Sequence, residues 1–448
     1  MDAGSREATP MHVPEPTGSL DVHDTRTGES YRLSITDGSI RAAELAAIRT
    51  SDAASPGLLS YDPAFMNTAS CRSAITFIDG DRGILRYRGY PIDQLAERRS
   101  FLDVAFLLIS GELPTRDESA AWASAVAASE EIPAQIVDLV ATFPSDAHPM
   151  TVLLAAWSGL AAYRWGSAPA DDQVAADAEL PAFLGLAASL VALVFRHRTG
   201  APLRTDPVEG DYSTRLLGAM VPGTSAGPAQ RRAIDVLMIL QADHEQNCST
   251  NAVRAVGSSR VDPYSAFAAG IAALYGPLHG GANEAVTRML HEIGDVANVD
   301  AYVATVKRGE RRLMGFGHRV YKSYDPRARI IKATAEEVFE ETGRNHLLDV
   351  AREVERIALA DPYFVDRKLY PNVDFYSGLI YEAMGLPVDT YTTMFAVARM
   401  AGWVAQWREM MADPEQKIAR PRQIFIGPST REVPPPDQDP RGAPGDRS

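Results

Sequence analysis

A chain of 448 residues with 46% hydrophobic and 23% charged content has enough apolar material for two or three domains and a large core. A net charge of −14 excludes nucleic acid or an anionic membrane as the main partner, but not anionic small molecules, whose binding local charge decides. Two cysteines, Cys71 and Cys248, are too few for a disulfide scaffold and suit a reducing compartment.

The opening MDAGSREATPMHVPEP carries acids early and no apolar core, so no secretory or transit peptide is expected and the expected location is the cytoplasm. Residues 1–20, rich in Pro, Gly, Ser and charge, are expected to be a disordered tail, and so are residues 429–448. Residues 21–90 have a short, turn-punctuated texture. Within them ITFIDGDRGILRYRGYPI alternates β-formers with Asp-Gly and Arg-Gly breaks, which predicts a hairpin. After Pro91 apolar residues recur at helical spacing, as in IDQLAERRSFLDVAFLLISG, and Pro and Gly punctuate the ends. The apolar stretch 183–194, followed by Arg196, His197 and Arg198, is too short to span a bilayer and reads as a buried helix. The polar, Ala- and Asp-rich GSAPADDQVAADAELP (166–181) reads as a surface loop, and no repeat of solenoid period is present. The expected fold class is mostly α with a small β segment near the N-terminus.

Candidate chemistry gathers between residues 241 and 422. In QADHEQNCSTNAVR, His244 and Cys248 stand one helical turn apart, half of a zinc pattern. A protease motif would need His at 248, and no second cluster offers further ligands, so no metal is expected. For His244 a hydrogen-bonded core role and a ligand-contacting role remain open. In YGPLHGGANEAVTRML, His279 falls in a tight turn just before a helix, whose positive end would keep the ring neutral. Its small neighbours allow something to approach the backbone closely. KRGERRLMGFGHRVYKSYDPRAR (307–329) sets eight cations against Glu310 and Asp325, a local charge of +6. Its Gly315-Phe-Gly317 lacks the third glycine and the preceding strand of a dinucleotide fingerprint. A loop presenting amides, His318 and guanidiniums suits a polyanion together with a carboxylate. In RKLYPNVDFYSGLIYEAMGLP, Asp374 follows a turn and precedes a helix, where an N-cap is the plainer reading and a catalytic base the rarer one. Arg399, among the apolar neighbours of MFAVARMAGWVAQW, requires an anion or an acidic partner. Arg420 and Arg422 flank Pro421 in a stiff basic turn.

Taken in order, DHEQNCST, GPLHGGANEA, GFGHRVYK with DPRA, YPNVDFYSG and IARPRQ resemble the bacterial (type II) citrate synthase family over nearly the whole chain, from about residue 20 to 427. The chain departs from the family's pattern in the 166–181 insert and the Pro-rich tail. AMVPGTSAGPAQ also lacks the cysteine of NADH-inhibited hexameric members, which weakens the case for that inhibition and for a hexamer.

The resemblance implies a mostly helical homodimer that uses oxaloacetate and acetyl-CoA, with no cofactor and no metal. A large domain (91–280 and 390–428) and a small one (281–389) would close over the substrates. Carried onto this sequence, it makes Asp374 the base and His279 and His318 the catalytic histidines. His244, Arg327 and Arg399 become oxaloacetate ligands, and Arg420 the arginine reaching the partner's site. Leu313, Gly315, Gly317, Lys322 and Lys368 become CoA contacts. Asp374 would then remove a methyl proton while neutral His279 donates to the thioester oxygen and His318 polarises the ketone. Guanidinium forks match the two carboxylates of oxaloacetate.

Two rival readings stand beside this one. 2-Methylcitrate synthase differs by one methylene of propionyl-CoA, worth about 1–3 kcal/mol. A non-catalytic CoA- or carboxylate-binding regulator would not need Asp374 together with two histidines.

Overall fold

The computed structural model describes residues 15–435, apart from 52–56, 167, 170, 205, 222, 224, 225, 344, 345, 429 and 434. Two small antiparallel sheets open the chain. One runs Gly18–Asp24, Glu29–Thr36, Ser39–Ile40, and the other Thr76–Asp79, Ile84–Tyr87, Tyr90–Pro91. Arg88 and Gly89, both with positive φ (48° and 89°), form the two-residue turn between the last two strands. That backbone twist suits a tight hairpin, so the Arg-Gly break has its expected effect.

The tail expected over 1–20 is shorter than the sequence suggests. Residues 18–20 are paired, with Leu20 opposite Leu33, because the alternation SLDVHD continues a strand that its polar residues disguise. Residues 1–14 and most of 429–448 lie outside the described residues.

Among the described residues, everything after Pro91 is helical or connecting chain, as the 3.6-residue periodicity requires. The core is organised around Tyr391–Ala412, a 22-residue helix whose apolar and small side chains cover every face. A helix apolar all round must be enclosed, and this one packs against Phe101–Ser110, Leu180–Thr199, Pro228–Gln241 and Cys248–Gly257.

Leu180–Thr199 extends the apolar stretch at both ends to 20 residues, so by length and composition it could cross a membrane. The sequence reading of it as too short is therefore corrected, while its reading as a buried core helix holds, since 78% of its apolar window is buried. Half of the supposed 166–181 loop is also helical. Asp172 caps Gln173–Ala178 by accepting from the Val174 and Ala175 amides at 3.0 Å. Five alanine, glutamine and valine positions with good or neutral helix propensity then outweigh the polar texture.

Gly402 lets the central helix approach the loop that carries His244. A Cβ there would stand 2.2 Å from the Ala242 carbonyl oxygen and 2.7 Å from Asp243 Oδ1. Gly402→Ala is expected to destabilise the fold by about 1–3 kcal/mol, the usual range for overpacking, measured by denaturant unfolding. An unchanged midpoint would show that the loop yields freely.

Candidate active site

The loop 243–247 joins Pro228–Gln241 to Cys248–Gly257. Asn247 Oδ1 caps the second helix by accepting from Thr250 N–H at 3.1 Å. That cap presents the Ser249 amide to His279, whose Nε2 accepts from it at 3.3 Å and lies 2.9 Å from Ser249 Oγ. Trp403 Nε1 donates to the same hydroxyl at 3.1 Å, holding it in place. A backbone amide can only donate, so Nε2 is unprotonated and the neutral ring carries its hydrogen on Nδ1. Burial, then the Arg399 charge, pushes the His279 pKa down to about 3. The helix begins at Ala282, three residues on, with Gly281 as its N-cap.

His318 is held the other way round. Its Nδ1 accepts from the Val320 and Tyr321 amides at 3.0 and 3.2 Å, so its hydrogen sits on Nε2. Burial first, then Arg327, lowers its pKa to about 4. The two imidazoles are thus neutral and of opposite tautomer.

The segment carrying His318 is zipped to the one carrying Asp374. Gly317 N–H donates to the Tyr370 carbonyl at 2.8 Å, and Asn372 N–H to that of Gly315 at 2.9 Å. Asn372 Nδ2 donates to the Gly317 carbonyl at 3.0 Å, while its Oδ1 accepts from Asp374 N–H at 2.9 Å. Gly315 and Gly317 have φ of 77° and 81°, and a Cβ on Gly315 would lie 2.8 Å from Val286 and 2.9 Å from Phe375. Close approach is what these glycines permit.

Asp374 is the first residue of Asp374–Ala383, and Val373 is the N-cap, without a side-chain cap. The N-cap reading of Asp374 is therefore corrected, because Asn372 does the capping. The carboxylate is left without that duty. Its Oδ1 is enclosed and unpartnered among the described residues, although the residue as a whole is partly exposed. Burial raises its pKa to about 7 against the opposing pull of Arg327 and Arg399.

Arg327 and Arg399 are both 2% exposed. Arg327 forms a two-pronged pair with Asp325, Nε to Oδ1 at 3.0 Å and Nη2 to Oδ2 at 2.8 Å. Arg399 Nε donates to the Gln241 carbonyl at 2.7 Å, while its Nη1 is enclosed and unpartnered among the described residues. Burial pushes the Arg399 pKa down to about 10, and the nearby Asp243 charge opposes that shift. Asp243, fully buried, accepts from Thr76 Oγ1 at 2.6 Å and Gln406 Nε2 at 3.3 Å.

His244, buried with an Nε2 unpartnered among the described residues, has its ring 5.1 Å from that of His318 and 5.6 Å from that of Tyr321. Burial first, then the Arg327 and Arg399 charges, hold it well below the ordinary imidazole range. The Arg399 charge reaches His244, His279 and Asp374, and the Arg327 charge reaches His244, His318 and Asp374. Those six residues therefore share one neighbourhood.

Other expected residues stand apart from it. Arg420 lies on an exposed stretch and makes no hydrogen bond among the described residues. Lys322 and Lys368 are exposed, and Lys322 Nζ donates to the Arg319 carbonyl at 3.1 Å. The Leu313 side chain is packed into the core at 8% exposure, which leaves its backbone for any ligand.

Two acids from outside the +6 segment, Asp361 and Glu292, lower its charge to +4 in space. Lys307 pairs with Asp361, Arg308 with Glu310, Arg311 with Glu292 and Arg327 with Asp325. His244 is buried and Cys248 exposed, so the half zinc pattern does not converge. Among the described residues no group of three or more His, Cys, Asp or Glu could hold a metal. A cavity of about 330 Å³ beside Glu336, Phe339 and Arg352 shares no residue with the cluster. Sequence reasoning passed over Asp243, Ser249 and Asn372. Only Asn372 carried a signal, as an Asx residue two places before a helix start.

The helical fold and this cluster define an acid–base enzyme for an anionic substrate. The family described as "Citrate synthase, C-terminal domain" matches residues 64–422. A glyoxysomal citrate synthase from Cucurbita maxima is 45% identical over 433 residues, 94% of this chain and 84% of its own. A peroxisomal one from Dictyostelium discoideum is 44% identical over 430 residues, 94% of this chain and 87% of its own. The solved Thermoplasma acidophilum citrate synthase, in ternary complex with carboxymethyl coenzyme A and oxaloacetate, is 31% identical with a TM-score of 0.77. That match covers 82% of this chain and 97% of the other. The chain belongs to the citrate synthase family.

The relatives' names also correct the expected cytoplasmic location, since they place those enzymes in the glyoxysome and the peroxisome. Charge and cysteine count suit a reducing compartment without saying which one.

Proposed function

We propose how this family's reaction, the condensation of acetyl-CoA with oxaloacetate to citrate and CoA, is divided among the residues of the cluster. Asp374 takes a proton from the acetyl methyl group. His279, protonated on Nδ1, donates to the thioester oxygen as negative charge develops there. His318, protonated on Nε2, polarises the ketone of oxaloacetate and gives its proton to the new alkoxide as the carbon–carbon bond forms. Arg327, Arg399 and His244 grip the oxaloacetate carboxylates. Water then cleaves the citryl thioester.

One observation carries this assignment. Backbone amides occupy the acceptor nitrogen of each catalytic imidazole, Nε2 of His279 and Nδ1 of His318. Each ring is thereby committed to being a donor at its other nitrogen, as a reaction that builds negative charge on two oxygens requires.

The division into a small domain (281–389) and a large one (91–280 and 390–428) accords with this chemistry. His244, His279 and Arg399 would come from the large domain, and His318, Arg327 and Asp374 from the small one, so closure would complete the site and exclude water. Thr392 Oγ1 donates to the Gly280 carbonyl at 3.2 Å, joining the two crossover points. A homodimer with Arg420 completing the partner's site is supported by the arm around it, whose Ile418, Ile424, Phe425 and Ile426 are exposed. Lys322, Lys368 and the backbone of 313–317, with Gly315 and Gly317, are the surface on which CoA would lie. The relatives' shared name does not favour propionyl-CoA.

The deciding test is thiol release. CoA should appear only with both oxaloacetate and acetyl-CoA present, and faster than with propionyl-CoA. Binding of either substrate without thiol release would instead identify a regulator.

A further inference from the structure

A carboxylate outside the cluster joins the two segments that bear its base and one of its guanidiniums. Glu355, in His346–Ala360, is 3% exposed. Its Oε1 accepts from Tyr324 Oη at 2.7 Å, and its Oε2 from Tyr376 Oη at 2.7 Å and Lys332 Nζ at 2.5 Å. Tyr324 immediately precedes Asp325, the two-pronged partner of Arg327. Tyr376 lies two residues after Asp374, in the first turn of the same helix. The donors thus come from the starts of the two helices Pro326–Thr342 and Asp374–Ala383, and one buried carboxylate holds both.

A buried charge of this kind adds little stability that an apolar side chain of equal volume could not supply. It does fix directions, because two phenols and an ammonium must converge on two oxygens. The carboxyl is held below its ordinary range by Lys332, Tyr376 and Tyr324, which together outweigh burial, and both phenols are raised above theirs. The acceptor is therefore ionised and the donors protonated at neutral pH. The charges acting on Asp374 are those of Arg327, Asp325 and Arg399, and Glu355 is not among them. Its influence on the base runs through geometry.

We infer that Glu355 is a positioning residue that sets the separation of Asp374 and Arg327, holding the first through Tyr376 and the second through Tyr324. The inference rests on the proposed roles of Asp374 as base and Arg327 as oxaloacetate ligand.

The two phenols make it testable, since Tyr376→Phe and Tyr324→Phe each remove one oxygen and leave the ring packing intact. Tyr376→Phe should lower kcat about tenfold with KM for oxaloacetate held within about twofold, because slight misplacement of a reacting group costs rate. Tyr324→Phe should raise KM for oxaloacetate about tenfold with kcat held within about twofold. Glu355→Gln should show both effects. A purely structural role predicts lower Tm with kcat per folded site and both KM values unchanged, and that result would overturn the inference. So would the same change in both phenol variants. Asp374→Asn separates the two levels. Turnover surviving in it would remove the proposed base, whereas loss of turnover there with wild-type kcat in Tyr376→Phe would remove only the role of Glu355.

Discussion

Asp374→Asn is expected to lower kcat by about 10²–10⁴-fold, the usual weight of a positioned general base. Its carboxyl has an enclosed oxygen without a partner among the described residues, and a pKa raised to about 7 beside two fixed cations. Raising the pKa makes it a stronger base toward a carbon acid than an ordinary carboxylate near 4. The pH dependence has a definite sign. Turnover needs the ionised form, so kcat/KM for the free enzyme should rise with pH and level off above about 7. His279 and His318, with pKa values lowered to about 3 and 4, stay neutral throughout and add no limb above pH 5.

Stability should move the opposite way to activity. The folded state binds the Asp374 proton more tightly than the unfolded chain does, so its contribution is full below pH 4 and is lost as pH rises toward 7. The Asn variant has no such loss, and should gain Tm relative to the parent between pH 5 and 8 while being inactive. Acetyl methyl proton exchange in the presence of an oxaloacetate analogue, if it survived in the variant, would remove Asp374 as the base.

Arg399→Lys should raise KM for oxaloacetate by about 10–100-fold, with KM for acetyl-CoA changed by less than about threefold. A hydrogen bond to a charged group is worth about 1.5–3 kcal/mol, and lysine keeps the charge while losing the planar fork. One prong of Arg399 is already committed to the Gln241 carbonyl, and Nη1 remains enclosed without a partner. Lysine can serve only one of these directions. Equal changes in the two KM values would show that Arg399 supports the fold around the site and does not contact the dicarboxylate.

What could be read from the chain depended on how local each determinant was. The helical class followed from apolar periodicity that recurs over nearly every segment after Pro91, and the Arg88-Gly89 turn from residues that tolerate positive φ. His244, His279, His318, Arg327 and Asp374 stood out as candidates because each sits beside turn-forming or helix-starting residues, in motifs that in series resemble one family, and Arg399 because it is a charge among apolar neighbours. Where local texture misled, a non-local partner was missing from view. The cationic 307–329 segment looked free until Glu292 and Asp361 arrived from elsewhere in the fold. The 166–181 stretch looked like a loop although Asp172 could cap a helix within it.

By itself, then, the order of residues determined the helical architecture and the family, and singled out the side chains proposed to react, because these are carried by short patterns. The tertiary structure decided their states: which nitrogen of His279 bears hydrogen, why Asp374 has a raised pKa, and which carboxylate ties Tyr324 to Tyr376. Each of those depends on groups far apart in the chain, Ser249 with His279, Arg399 with Asp374, Glu355 with Tyr324 and Tyr376. Burial and hydrogen-bond direction exist only once the chain has brought such groups together.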